Sequence, residues 1–491
     1  MPKRITKNTK TDFIVNMTKE GFMKLCFVFM ALATIGVGLS CLPYYLKKGN
    51  DFVSGGIEEA TTVAIRTTIA IDFLKYSAIV LMAFGFFGFL FLVISASKGY
   101  FKAKENLPMV LLGGFVLMCA VSTFLAYDVN VAIFGSHGRF EGLVAFLSYC
   151  GFFAVASQLT DKKYKEKLLF VIVAVALFHS VVGIFQSFEA TFKLLPTFFG
   201  EKYEVAGAVS EHYIANGFAT SPYALASLLT MATAIGVCGF MYSQNKKLSV
   251  FFAASGVISA TACLLTKNIA AVTGLCVVAV TLFVLEVVRI KSGHGLFVKA
   301  FLKNPLGRLV FSVGIVTVIF IILHITGNFA FEDSYIILQD SMSRLFLSRP
   351  AFKTSGIKIY PHIWKDILSQ LKDNFVFGMG FDCIGMKMYG IPETIEIAGS
   401  ADRAYNEYLN IAASTGVVSL VFYLGFVAGC LIRGVKAVSG FFNLKDNWTR
   451  PACLAGCIGY LACGVFSTSA VVSTPVFFLL LGLCFSKTEE E

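Results

Sequence analysis

Four short stretches next to apolar runs combine polar and charged side chains. The densest is "DRAYNE" at residues 402–407, where two acids, a base, a phenol and an amide precede an apolar run that continues to Leu431. The other three are "GSHGRFEGL" at 135–143, "NGFATSP" at 216–222 and "TKN" at 266–268. Arginine offers a planar fork of donors that fits phosphate, and lysine offers a compact cation. These stretches are therefore the candidate sites for chemistry.

Three of the stretches also have structural interpretations. Arg139 offers phosphate-binding donors, which favours a functional role, although it could instead contact lipid headgroups at a membrane interface. Lys267 sits at a tight hinge between two apolar runs and could extend to the same headgroups. Ser221 before Pro222 is typical of a helix start, which indicates a cap more than a site.

The stretch 402–407 is harder to explain as structure alone. Asp402 or Ser400 could cap the helix that follows. On a helix, Arg403 and Glu407 would share one face and form a weak ion pair. A cap accounts for one acid, but not for the remaining polar side chains beside it. The density of this stretch favours a functional site.

The residue types point to a reaction that uses cations and no metal. The six histidines show no metal-ligand spacing, and no acidic pair suited to Mg²⁺ accompanies the four stretches, so we predict no metal and no cofactor. The chain also lacks a P-loop and a GxSxG motif. A diphosphate leaving group needs charge neutralisation rather than protonation, and arginine and lysine can supply it. The acceptor hydroxyl then needs only orientation and a base. A polyprenyl-pyrophosphate-linked glycan is therefore the predicted substrate.

The elements that must position these residues are membrane helices. Of the 491 residues, 56% are hydrophobic and 14% are charged, and apolar runs of about 20 residues recur as a bilayer requires. We predict an all-α polytopic transmembrane bundle of about 12 spans, in contact with membrane lipid. The predicted spans are 22–42, 74–97, 107–127, 141–159, 168–188, 216–242, 248–266, 268–288, 309–327, 413–432, 452–468 and 470–486.

The basic loops orient this bundle. With the N-terminus in the cytoplasm, the Lys- and Arg-rich connections all fall inside, as is typical of membrane proteins. This distribution explains the net charge of +11 without a nucleic-acid partner. The predicted organisation is a cytoplasmic tail (1–21), spans one to nine (22–327), an extracytoplasmic helical loop (328–412), spans ten to twelve (413–486) and a cytoplasmic tail (487–491). All four polar stretches then lie on the outer face of the cytoplasmic membrane.

The long outer loop is predicted to form a small helical cap. A connection of this length is rarely structureless. Within it, Ile363, Ile367, Leu368 and Leu371 form an apolar stripe, which predicts an amphipathic helix with Trp364 at headgroup depth. The glycines of "FGMGFD" predict a tight turn after that helix.

The four stretches and the cap together resemble the O-antigen ligase and O-antigen polymerase superfamily of membrane glycosyltransferases, over roughly residues 105–430. "GSHGRFEGLVAFLSY" is similar to the G-x-x-x-R-x-x-G stretch of that family, and "ANGFATSPYALASLL" to its G-x-x-x-N-P-N-x-x-A entry into the next span. "LLTKNIAAVTG" resembles a motif that begins with Arg, and "IWKDILSQLKDNFVFGMGFD" resembles the W-x-x-x-L-x-x-x-x-x-x-P-x-x-G-x-G block of the outer loop. "DRAYNEYLNIAASTGVVSL" matches the segment written D-x-x-H-N-x-x-L.

The resemblance implies a metal-independent, inverting transfer of a glycan from undecaprenyl pyrophosphate to a glycan, lipid or protein acceptor in cell-envelope polysaccharide or glycoconjugate biosynthesis. It implies that Arg139, Lys267 and Arg403 bind the diphosphate, with Lys267 at a position where the family has Arg.

The same resemblance places the catalytic group in the segment 402–407. Asn406 matches the family motif, but Tyr405 occupies the position of its histidine. A phenol with an ordinary pKa near 10 is a poor general base at neutral pH. Asp402, Glu407 or His362 could take that role, or the activity could be altered or lost.

Two other classes of function fit the same residues. One is an exporter or flippase that moves a lipid-linked glycan without changing its covalent acceptor. The other is a non-catalytic member of a polysaccharide assembly complex.

Overall fold

A computed structural model describes residues 17–40, 42, 59–99, 107–136, 139–188, 202–205, 208–211, 214–219, 221–243, 245–294, 302, 304–331, 356–385, 403–440 and 448–486. Within these ranges the chain is predominantly helical, with one short antiparallel pair of strands, β1 (Lys202–Val205) and β2 (Ala208–Glu211). The predicted polytopic helical bundle is confirmed.

The α-helices, in chain order, are α1 (Lys19–Leu39), α2 (Glu59–Ser97), α3 (Leu107–Phe124), α4 (Val129–Phe134), α5 (Leu143–Ala156), α6 (Lys162–Gln186), α7 (Pro222–Tyr242), α8 (Lys246–Leu264), α9 (Ile269–Arg289), α10 (Pro305–Ile325), α11 (Ile359–Leu371), α12 (Glu407–Thr415), α13 (Val417–Gly440), α14 (Thr449–Cys463) and α15 (Thr474–Phe485).

Each of the twelve predicted spans coincides with a helix. In the part of the chain that the structure describes, nine helices are long and apolar enough to cross a membrane. The other three predicted spans correspond to the shorter helices α5, α14 and α15, which have 14, 15 and 12 residues. Helices α4, α11 and α12 are short and lie between spans.

Local sequence signals set where several helices begin. The side chains of Asp161, Asn268 and Asn304 accept hydrogen bonds from backbone N–H groups in the first turns of α6, α9 and α10. Such caps satisfy donors that a helix start leaves unpaired. Ser221 precedes α7 and Pro222 is its first residue, as predicted.

Helix α7 lies at the centre of the bundle. Nearly all of its side chains are buried, and it packs against α6, α8, α9 and α14. Its first turn therefore opens into the interior at one end of the bundle, where the polar stretches meet.

The predicted cap helix exists as α11, with a different apolar face. Ile363, Ile367 and Leu371 are buried as predicted, but Leu368 is 51% exposed. Ile359 and Tyr360 complete the buried face instead, because they lie one turn before Ile363. The turn predicted after this helix is present, with positive φ at Gly378 and Gly380.

The segment before α12 is not helical, so the predicted i, i+4 ion pair of Arg403 with Glu407 is wrong. Residues 403–406 form an irregular turn, and Tyr405 has a φ of 43°. The helix begins at Glu407, and the cap is Asn406, whose Oδ1 accepts from the N–H of Leu409 at 2.9 Å. Asp402 and Ser400, the caps that the sequence suggested, lie outside the described residues.

Candidate active site

Arg139 is held in a short loop between α4 and α5. Its Nε donates to Ser136 Oγ at 2.8 Å and lies 3.3 Å from Asp382 Oδ1. Asp382 Oδ2 accepts from both the N–H and the hydroxyl of Ser136 at 3.0 Å. Asp382 follows the cap helix, so this cluster ties the outer loop to the bundle and aligns the Arg139 guanidinium. His137 of the same stretch lies outside the described residues.

Glu141 lies just before α5 and is buried beside both arginines. One carboxylate oxygen accepts from the Tyr149 hydroxyl at 2.9 Å. The other lies 3.4 Å from Ser469 Oγ and 3.5 Å from Arg403 Nη1. Burial raises the pKa of Glu141 and the nearby Arg403 lowers it, with the burial effect the larger. The Glu141 carboxylate therefore binds a proton more readily than an exposed glutamate does.

Arg403 reaches the same place from the turn before α12. Its Nη1 donates to Thr468 Oγ1 at 2.9 Å and to the carbonyl of Ser469 at 3.4 Å, both in the connection between α14 and α15. Its Nε is buried with no hydrogen-bond partner among the described residues. A buried guanidinium with a donor to spare is suited to receive an anion.

Tyr405 forms the neighbouring wall of the site and is buried. Its ring packs against Tyr223 at 5.5 Å between centroids, and the Tyr223 hydroxyl lies 3.1 Å from that of Tyr360 on α11. Trp364 of α11 donates from Nε1 to the carbonyl of Ala404 at 3.0 Å. The cap helix thus fixes the turn that carries Arg403 and Tyr405.

These side chains line one small cavity of about 30 Å³. Arg139, Glu141, Arg403 and Tyr405 meet there with Ser221, Tyr223 and the residues 468–472. A cavity of this size admits about two water molecules. It can receive a hydroxyl or a phosphate oxygen, but a sugar or a diphosphate must bind at its mouth or widen it.

Of the other predicted site residues, Glu407, Asn406 and Lys267 are described by the structure, and none of the three lines the cavity. Glu407 is buried behind it, where its Oε1 accepts from the Tyr423 hydroxyl at 2.8 Å. Burial raises the pKa of Glu407 to about 7, and donated hydrogen bonds from Tyr423 and Tyr460 offset only part of this rise. Asn406 is occupied as a helix cap.

Lys267 forms the turn between α8 and α9, with a φ of 52° and its N–H bonded to the carbonyl of Leu264. It is half-buried and does not line the cavity.

Four residues that line or support the cavity are not among the predicted site residues: Glu141, Asp382, Thr468 and Ser469. Glu141 was visible two residues after Arg139, and "STSAVVST" at 467–474 is a polar run between two apolar spans. Asp382 carries no such signal, because only the folded chain places it beside Arg139. Among the described residues, no group of three or more His, Cys, Asp or Glu side chains is placed to hold a metal ion.

The O-antigen ligase family model matches residues 254–424. This part of the chain is therefore similar to an O-antigen ligase domain. The match confirms the family that the motifs resemble, and it supports an O-antigen ligase-type membrane enzyme of polysaccharide assembly. A search of curated proteins finds no match. The matched O-antigen ligase domain includes Lys267, Arg403 and Tyr405, whereas Arg139 and Glu141 precede it and join its site through the fold.

Proposed function

We propose that this protein transfers a glycan from a polyprenyl pyrophosphate, such as undecaprenyl pyrophosphate, to an acceptor hydroxyl on a glycan, lipid or protein. The observation that carries the proposal is the convergence of Arg139 and Arg403, from loops far apart in sequence, on one buried cavity next to a carboxyl group. The site would face the outer side of the cytoplasmic membrane, and both termini would be cytoplasmic.

The two arginines suit the leaving group. In an inverting displacement the acceptor oxygen forms a bond to the anomeric carbon while the bond from that carbon to the diphosphate oxygen breaks. The diphosphate leaves with the electron pair and gains negative charge. Arg139 and Arg403 would stabilise that charge in a site where burial strengthens the attraction. Lys267 does not line the cavity, so it would bind the diphosphate only outside the cavity, as the donor approaches.

The acceptor proton needs a base, and Glu141 is placed for that role. Of the described residues that line the cavity, only Glu141 carries a carboxylate. Its raised pKa would make it a stronger base than an exposed glutamate, as general-base catalysis requires.

The roles expected within 402–407 would then be divided. The Tyr405 hydroxyl would orient the acceptor, and Asp402 would be a second candidate base beside Arg403. Asn406 would stabilise the turn by capping α12. Glu407, which does not line the cavity, would influence the electrostatic potential there from its buried position beside Tyr423.

Transfer by the purified protein in detergent tests the proposal, with a polyprenyl-pyrophosphate-linked oligosaccharide as donor. We expect Glu141→Gln and Arg403→Lys each to lower kcat/KM by about 100-fold or more, since loss of a positioned base or charge donor has that size. Arg433→Lys is the matched control, because Arg433 stacks on Phe485 away from the cavity. Unchanged kcat/KM in both site variants would refute the assignment.

The variants Tyr405→Phe and Tyr405→His test the role of the Tyr405 side chain. We expect Tyr405→Phe to lower kcat/KM by about tenfold through loss of one orienting hydrogen bond of about 1.4 kcal/mol. A Phe variant as active as the parent would remove the hydroxyl from the chemistry. Tyr405→His reports whether the family's usual side chain raises the rate.

Assays in liposomes and in cells separate the two alternative functions. An exporter would move the lipid-linked glycan across liposomes and never change its acceptor in detergent. If the protein is a non-catalytic assembly protein, cells that carry the Arg139→Ala variant would still produce surface glycan.

A further inference from the structure

A second cavity, of about 230 Å³, lies between α7, α8, α9 and α10. Its walls are almost wholly apolar and include Val237, Ala260, Leu275, Ala279 and Val316. Among the described residues, the two cavities share no lining residue, and α7 is the only helix that borders both.

The cavity cannot hold water stably. Its wall contains three hydroxyls, and those of Ser312 and Thr317 already donate to carbonyls of their own helix. Thr233 Oγ1 alone remains without a hydrogen-bond partner among the described residues. An ordered water requires two to four polar partners, whereas an apolar cavity of about 150 Å³ stays dry and accepts hydrocarbon.

The cavity is long and open to the bilayer. Its lining on α9 runs from Val272 to Leu282 and on α10 from Leu309 to Phe320, about 15 Å along each helix axis. That is about half of a hydrocarbon layer of roughly 30 Å. Cys276 and Val313 line the cavity and are exposed, so its mouth faces the surrounding lipid.

We propose that this cavity is a binding site for one acyl chain of a bilayer phospholipid. A void between helices forfeits dispersion contacts on all its walls, and a flexible hydrocarbon chain restores them. We favour a phospholipid acyl chain over the polyprenyl chain of a substrate as the occupant. Phospholipids are the solvent around the mouth of the cavity and are therefore far more concentrated there. The proposal is independent of glycan transfer.

Photocrosslinking of the full chain tests it. The protein is reconstituted in phosphatidylglycerol and phosphatidylethanolamine vesicles that contain a phospholipid with a diazirine midway along one acyl chain. After illumination and proteolysis, mass spectrometry should locate adducts on the cavity-lining residues of α8, α9 and α10. Ala279→Phe, which fills the cavity, should lower that adduct yield about tenfold, or about 1.4 kcal/mol of binding free energy.

Val280→Phe is the matched control, because Val280 is adjacent to Ala279, is 62% exposed and does not line the cavity. Its adduct yield should equal that of the parent. Val316→Phe fills the cavity from α10 and replaces Ala279→Phe as the cavity-filling variant if Ala279→Phe does not fold.

Three results would overturn the proposal. In one, the filling and control variants lose adducts equally. In another, none of the variants loses them. In the third, a diazirine-bearing polyprenyl phosphate at the same mole fraction labels the cavity in preference to the phospholipid.

Discussion

At the scale of single residues, each arginine of the polar cavity already has a carboxylate neighbour. Arg139 faces Asp382, and Arg403 faces Glu141. Buried charges require partners, because the loss of water is costly and removal of one partner leaves the other uncompensated. The carboxylates therefore keep the guanidinium groups in place between turnovers, and an incoming diphosphate shares donors that are already oriented.

Asp382→Asn tests this positioning role. The amide oxygen can still accept from Ser136, but the charge opposite Arg139 is lost. We expect a loss of about 1.5–3 kcal/mol in unfolding free energy, typical of hydrogen bonds to charged groups. We also expect KM for the lipid-linked donor to rise more than kcat falls.

Asp373→Asn is the control for that substitution, since Asp373 is exposed in the same outer loop. If Asp382→Glu has the same KM for the lipid-linked donor as the parent, the charge at position 382 is what positions Arg139. Equal KM values in the Asn variant and the parent would contradict it.

Glu407 predicts a pH dependence of stability. Its pKa is raised to about 7 in the folded protein from an ordinary value of 4.5. The protonated carboxyl therefore contributes stability that is fully present below about pH 4.5 and is lost as the pH rises through about 7. In Glu407→Gln, which does not ionise, the melting temperature relative to the parent should increase between pH 5 and 7 and change little above pH 8. A difference that is constant from pH 5 to 8 would show that the pKa of Glu407 is not raised.

At the scale of elements, the site depends on how α12 joins α13. Gly416 links them with φ 92° and ψ 157°, a conformation that only glycine adopts readily. The next residue, Val417, donates its N–H to the carbonyl of Phe375 at 2.8 Å. This hydrogen bond attaches the outer loop to the junction between α12 and α13. Because the chain changes direction at Gly416, Arg403 and Tyr405 can reach the cavity from the turn before α12, while α13 continues through the bundle.

Gly416→Ala should destabilise the protein strongly. A Cβ at this position would collide with the carbonyl oxygen of Val376 as well as strain the backbone. We expect a cost of about 1–3 kcal/mol from the backbone alone, with a further cost from the collision. Melting in detergent measures it.

Gly314→Ala in α10 is the matched control, because a Cβ there would have no atom within 4 Å. Its melting temperature should equal or exceed that of the parent, since alanine favours helix. Equal melting temperatures in the two variants would contradict the role of Gly416.

At the scale of the whole molecule, the two ends of the bundle have different polar chemistry. One end holds the arginine cavity and the cap helix. The other holds Glu286, which accepts from Tyr242 and Arg289 at 2.6 Å, and Arg308, which donates to the carbonyl of Phe240. This second end carries the basic loops that the sequence assigns to the cytoplasm, so its charges would anchor the inner face.

Reporter fusions test the orientation. Alkaline phosphatase requires an oxidising compartment for its disulfides. We expect activity from a fusion that ends at Asn328, after α10, and none from a fusion that ends at Lys246, after α7. The reversed pattern would place the arginine cavity in the cytoplasm and exclude an externally facing site.

Much of the candidate site could be predicted from local signals. The sequence indicates Arg139, Arg403 and Tyr405 as site residues, because polar side chains next to apolar spans are costly unless they are used. Glu407 and Asn406 shared that signal, but the fold directs one into a buried pocket behind the cavity and the other into a cap. A one-dimensional pattern does not reveal which way a side chain points in an irregular turn.

Local sequence patterns are enough to predict the membrane class, the positions of twelve of the fifteen described α-helices and the stretches that carry chemistry, because apolar length and local capping are properties of neighbouring residues. Tertiary packing is what brings Glu141 to Arg403, aligns Arg139 with Asp382 and leaves an apolar cavity between α7, α8, α9 and α10. These features arise from contacts between residues as many as 328 positions apart, as for Ser469 and Glu141, and such contacts exist only after the helices have packed.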